Sequence, residues 1–164
     1  MKNNLGILSL LLLLSACGPH RGADPTVISL TYTEHDIQKQ FDTLYNYQQT
    51  KPGVYNGLIE QALAGCRRDT ASTDTIVQNV VSSMYLNKHS GVYDCVTTTT
   101  FRFHDGTISA TGVFNLTPGD TIAPNHNFPI TGGSAAYRDI YGTYTRKYKN
   151  GVYYVELRYY KNDR

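Results

Sequence analysis

The side chains best equipped for chemistry gather near the C-terminal end of the sequence. Val152, Tyr154, Glu156, Arg158 and Tyr160 alternate with Tyr153, Val155, Leu157 and Tyr159, and in the preceding run Gly142, Tyr144, Arg146 and Tyr148 alternate in the same way. Alternate side chains of an extended chain share a face, which makes Tyr144, Arg146, Glu156 and Arg158 the candidate ligand-binding set: a phenol, a carboxylate and two guanidinium groups. Facing a cavity, they would offer a ligand an acid, a cation and a hydrogen-bond donor. Facing water, they are a surface of ion pairs and tyrosines. The sequence alone leaves both readings open. Gly132-Gly133-Ser134-Ala135-Ala136 has the small residues of a nucleophile elbow. It lacks the closing glycine and leads into a Tyr-rich strand rather than a helix, so Ser134 reads as part of a turn. His20, His35, His89, His104 and His126 stand at no metal-ligand spacing, and the expectation is no metal and no cofactor.

Strands must position these residues. Fourteen Tyr, fourteen Gly and no Trp in 164 residues favour antiparallel β-structure. That length suits one domain, and a net charge of +2 gives no field for nucleic acid. Residues 26–33 alternate with Ile28, Leu30 and Tyr32 on one face. Thr33 and Asp36 then have the spacing of a capping box. Ile37, Phe41, Leu44 and Tyr45 fit one helical stripe that stops at 51–53, and Val54, Leu58, Ile59, Ala62 and Leu63 fit a second, so two short helices are expected within 34–65. From 76 onward the pattern is strands: 76–86, 92–103, 107–114, 121–131, 140–148 and 152–160. Asp105-Gly106 and Asn150-Gly151 are the hairpin signals between them, because type I′ turns need positive φ at both central residues. Strands joined this way close on themselves or pack as two layers.

The N-terminus carries an address. Lys2 precedes an apolar run from Leu5 to Leu14, too short to cross a bilayer as a mature helix, and Leu14-Ser15-Ala16-Cys17 follows. This resembles the lipobox signal of bacterial lipoproteins. The resemblance implies that 1–16 is removed, that Cys17 is lipidated, and that 17–25 tethers a single domain, 26–164, to the membrane. Two or three acyl chains, at about 0.8 kcal/mol per buried CH₂, anchor stably where one would not. With Gly18 rather than Asp after the cysteine, the expected location is the outer membrane, facing the periplasm. Cys66 and Cys95 are then the remaining pair in an oxidising compartment. A disulfide between them is expected, closing a loop of about thirty residues and contributing roughly 3–4 kcal/mol.

A second resemblance rests on His104-Asp105-Gly106-Thr107-Ile108-Ser109-Ala110-Thr111-Gly112-Val113-Phe114, then Pro129-Ile130-Thr131-Gly132-Gly133-Ser134-Ala135-Ala136-Tyr137, then Arg138-Asp139-Ile140-Tyr141-Gly142-Thr143-Tyr144. These segments resemble the signature of the allene oxide cyclase and dirigent barrel superfamily, with Ser134 for Thr, Ala135 for Gly, and Ile140-Tyr141 for the Ala-Arg pair before Gly142. The resemblance implies an eight-stranded antiparallel barrel that holds small apolar or phenolic molecules, and a trimer as in the plant members. Here the short helical segment would cap the barrel; the alternative is an α+β domain with a curved antiparallel sheet. The functional expectation is a lipid-anchored, non-catalytic barrel that binds a small apolar or aromatic ligand or an envelope protein. Its alternatives are a cyclase or isomerase acting inside the barrel, and a structural lipoprotein whose barrel is filled by its own side chains.

Overall fold

The computed structural model describes residues 24–45, 55–69 and 75–162. The signal peptide, Cys17, the tether up to residue 23 and the expected helix stop at 51–53 lie outside them. Nine strands form one antiparallel sheet: β1 (Thr26–Thr33), β2 (Ile37–Tyr45), β3 (Gly57–Cys66), β4 (Ile76–Leu86), β5 (Tyr93–Phe103), β6 (Gly106–Leu116), β7 (His126–Ala135), β8 (Ile140–Lys149) and β9 (Val152–Lys161). Their order is β1-β9-β8-β7-β6-β5-β4-β3-β2. From β2 to β9 each strand is the neighbour of the next in sequence, and β1 pairs with the last strand, Thr33 opposite Val152.

β1 and β2 are two halves of one bent run. Between them lies a single 3₁₀ turn, Glu34–Asp36, held by the Thr33 backbone N–H and hydroxyl, both donating to Asp36 Oδ2 at 2.8 Å. Before the bend the chain pairs with β9; after it, with β3, Ile37 opposite Ala64. Thr31 and Arg67 exchange backbone hydrogen bonds of 2.8 and 2.9 Å, tying β1 to the residue just beyond β3. The sheet thereby curls onto itself. Counted as runs around the barrel there are eight, and the ninth strand is the product of the bend.

Four expectations need correction. The helices expected within 34–65 are β2 and β3, and the 3₁₀ turn is what the Thr33–Asp36 signal caps. Ile37 and Phe41, four apart, satisfy both a helical and a strand period. The polar residues Lys39 and Glu60 occupy inward positions where a strand pattern would have shown apolar ones. The α+β alternative falls with those helices. The turn near Asp105-Gly106 is His104-Asp105, since Phe103 pairs with Gly106. By contrast, Asn150 and Gly151 both have positive φ, 52° and 80°, as their hairpin requires. Ser134, expected in a turn, lies inside β7 with Gly132 and Gly133, next to a bulge at Thr131, and the chain reverses at 136–139 instead.

The fourth correction is the disulfide. Cys66 and Cys95 are both buried and free. Cys66 pairs with Ile76 and Cys95 with Met84, eight residues apart along β4. At about 3.3 Å per residue that is roughly 26 Å, far beyond the ~7 Å limit on Cα separation in a disulfide. The two thiols belong to different apolar clusters at different levels of the barrel. Burial pushes the Cys66 thiol up to about 12 and the Cys95 thiol up to about 11.

One end of the barrel is packed solid. Leu30, Phe101, Ile108 and Leu157 are almost fully buried there, and Tyr137 caps the end with its ring 5.0 Å from Phe103. Gly133 allows that cap: a Cβ at this position would lie 2.2 Å from the Tyr137 carbonyl oxygen.

Candidate functional site

Above the packed end the barrel is hollow, and the register of the strands explains why. Cross-strand partners share a face. One row of inward residues runs Phe41, Glu60, Ser82, Thr97, Gly112; the next runs Lys39, Ala62, Val80, Thr99, Ala110. From β3 to β6 neither row contains an aromatic or long aliphatic side chain. The row below, Ala64, Gln78, Phe101, Ile108, is filled by Phe101 and Ile108. An eight-stranded barrel is only just wide enough for its side chains to fill, so two small rows leave a void. The result is a cavity of about 670 Å³, within the roughly 300–1,000 Å³ typical of small-molecule sites.

Its wall is mostly apolar with a polar strip. Gln78, Ser82, Thr97 and Thr99 are buried to 2% exposure or less. Buried polar groups need partners, and Ser82 Oγ lies 2.8 Å from Thr97 Oγ1, while Gln78 Nε2 donates to the Tyr144 hydroxyl at 3.2 Å. Burial pushes the Tyr144 phenol up to about 12. The Tyr32 phenol is also raised, by burial first and by Tyr144 second.

Charge enters from three strands. Lys39 Nζ on β2 stands 3.9 Å from Glu60 Oε1 on β3, and donates to the Thr121 carbonyl at 3.3 Å. Arg146 on β8 donates from Nη2 to the carbonyls of Ala123 at 3.0 Å and Pro124 at 3.4 Å. Its guanidinium sits 5.3 Å from the centroid of Tyr153, which is itself stacked on Tyr32 at 4.7 Å. A shallower depression of about 320 Å³ shares Ile37, Lys39, Thr121 and Tyr153 with the main cavity.

His126 on β7 lies opposite Arg146 and lines the same cavity. Its ring stacks on Phe128 at 4.2 Å and faces Phe114 at 5.8 Å. Nδ1 lies 3.1 Å from the Pro124 carbonyl oxygen, which assigns the proton to Nδ1. Burial, reinforced by the Arg146 charge, pushes its pKa down to about 4, so the ring is neutral near pH 7. Nε2 is buried without a hydrogen-bond partner among the described residues.

Of the four residues chosen from sequence, Tyr144 and Arg146 line or underlie the cavity, and Glu156 and Arg158 do not. Glu156 pairs with Ser29 and Thr145 on the outer face, and Arg158 Nη2 meets Glu156 Oε1 at 3.2 Å in a half-exposed pair. The inward face of β9 is Tyr153, Val155 and Leu157. Ser134 is exposed and shares a hydrogen bond with Thr107 at 2.7 Å. Lys39, Glu60, Gln78 and His126 are the wall residues that sequence reasoning passed over.

No family model and no curated protein sequence matches this chain. Solved structures do. A pyocyanin demethylase superposes with a TM-score of 0.53 at 18% identity, over 82% of this chain and 99% of its own. A nonspecific heme-binding cyclase that catalyses a 4 + 2 cycloaddition in neoabyssomicin biosynthesis superposes with a TM-score of 0.56 at 15% identity, over 99% of this chain and 79% of its own. At these identities the likeness is one of fold, and that fold is a mainly β, antiparallel barrel.

Proposed function

We propose that the barrel is a receptor for a small apolar or aromatic molecule, held at the bacterial envelope by a lipid on Cys17. The observation that carries the binding reading is the 670 Å³ cavity, open above a packed barrel end and walled by Phe114, Tyr32 and Tyr153 with a few fixed polar groups. Two structures of the same fold, a pyocyanin demethylase and a nonspecific heme-binding cyclase, support it. The anchor rests on the lipobox, Leu14-Ser15-Ala16-Cys17.

Filling the cavity tests the first half. Ala62→Phe places a ring in the small-residue rows, and the variant should keep the wild-type circular dichroism spectrum while losing saturable binding of an apolar fluorophore. Equal binding by both proteins would place the ligand elsewhere. Cys17→Ala tests the second half: the protein should move from the membrane fraction to the soluble one.

A second reading is a cyclase or isomerase. The Glu60 carboxylate favours it, being only 16% exposed and part of the cavity wall with neutral His126 and cationic Arg146. Such an enzyme would use the wall to fold a substrate and exclude water, with Glu60 moving a proton. Turnover of a bound substrate that vanishes in Glu60→Gln while binding persists would establish it.

A further inference from the structure

The charges on the cavity wall do not balance locally. Lys39 and Glu60 stand against each other at 3.9 Å. Asp120 is exposed on the loop that forms the rim. Glu34, on the bend between β1 and β2, accepts a hydrogen bond from the Tyr148 hydroxyl. His126 is neutral. That leaves Arg146, half-buried on the wall, with no carboxylate within 4.0 Å among the described residues.

A guanidinium has five N–H donors in a planar fork. Both contacts of Arg146 to the backbone leave from one nitrogen, Nη2, and go to neutral carbonyl oxygens. The aromatic face of Tyr153 supports the cation without neutralising it. Taking an arginine partly out of water without a counter-ion is unfavourable. The carbonyls and the Tyr153 ring fix the fork in place in advance, which reduces the ordering cost when an anion arrives.

We propose that the ligand of this cavity is an ionised acid: an apolar or aromatic body among the small-residue rows, with its carboxylate paired to Arg146. This rests on the reading of the cavity as a binding site. It narrows the ligand class, because a neutral apolar molecule of the same shape would leave the guanidinium without a counter-ion.

A matched pair of fluorescent probes tests it on the folded domain. Anilinonaphthalenesulfonate carries an anionic group and phenylnaphthylamine is its uncharged counterpart. The wild-type protein should bind one equivalent of each, with the anion at least about tenfold tighter, the range expected for a hydrogen-bonded charge. In Arg146→Gln that ratio should fall below about threefold. Equal affinities in the wild type would overturn the anion proposal while leaving the binding site intact, and this comparison does not depend on the variant folding. An unchanged ratio in a folded Arg146→Gln would also overturn it. Binding of neither probe would remove the receptor reading, and this inference with it.

Discussion

His126 makes stability depend on pH in a direction the structure fixes. In the unfolded chain a histidine titrates near 6.5; in the barrel, burial and the Arg146 charge bring it to about 4. Between those values the unfolded state binds a proton that the folded state refuses, so stability rises with pH across the window. The contribution is fully present above about pH 6.5 and is lost as pH falls toward 4. A gap of about 2.5 pH units sets a ceiling of roughly 3 kcal/mol. The ring keeps some contact with solvent, which brings the expectation nearer 2 kcal/mol. Urea unfolding of wild type and His126→Phe at intervals from pH 7.5 to 4.5 isolates it. Phenylalanine keeps the stack on Phe128 but loses the hydrogen bond to Pro124, so near pH 7.5 the variant should be less stable by about 1 kcal/mol. Toward pH 4.5 the two curves should converge and then cross. Asp36 contributes its own loss on acidification, because the Thr33 backbone N–H holds its carboxyl below the usual range, but both proteins share it. A wild-type-minus-variant difference that stays flat across the window would refute the reasoning, as would an imidazole titration near 6.5 by NMR.

A Cβ at Gly112 would lie 2.1 Å from the Phe128 ring, so Gly112→Ala should cost about 2–3 kcal/mol in urea unfolding. Adding Phe128→Leu should recover part of that cost rather than add to it, and strict additivity would mean the two do not share the space. Glu156→Gln with Arg158→Leu removes only an exposed ion pair and should shift stability by less than about 0.5 kcal/mol in the same assay. Cys66 and Cys95 should both be titrated by a thiol reagent in denaturant and neither in the native protein, and dithiothreitol should leave the melting temperature unchanged. A native protein two mass units lighter than its reduced form would contradict that.

Much of the barrel was legible because hairpin chemistry and period-two alternation act locally. β4, β5, β6, β8 and β9 follow the alternating runs to within two residues, β7 starts five residues later than the 121–131 run, and Asn150-Gly151 forms the turn its residues dictate. β2 and β3 were not legible for a physical reason tied to the site. They line the hollow part of the barrel, so Lys39, Glu60 and Ala62 interrupt the run of Ile37, Phe41 and Leu58 on their inward face. With the alternation broken there, Ile37, Phe41, Leu58, Ile59 and Leu63 have a spacing that fits a helix. The cavity erased the very pattern that would have announced its walls.

The misplacement of Glu156 and Arg158 had a different origin, because the information was present. A two-residue turn at Asn150-Gly151 makes Lys149 the partner of Val152, and every later pair steps outward from it. Even-numbered residues of β8 must then share a face with odd-numbered residues of β9: Tyr144 with Leu157, Arg146 with Val155. Grouping Tyr144 and Arg146 with Glu156 and Arg158 breaks that parity, since a shift of one residue sends a side chain to the other face. Applied to the sequence, the rule separates an outward Glu156–Arg158 pair from a face of Tyr153, Val155 and Leu157 that must be buried. It would have carried Tyr144 and Arg146 inward with that face. The hollow itself obeys no such local rule. It exists because Ser82, Thr97 and Gly112 fall in one row and Ala62, Thr99 and Ala110 in the next, a coincidence of three strand registers. A shift of any one of them by two residues would bring in a larger neighbour, such as Met84 or Phe101, and fill the space.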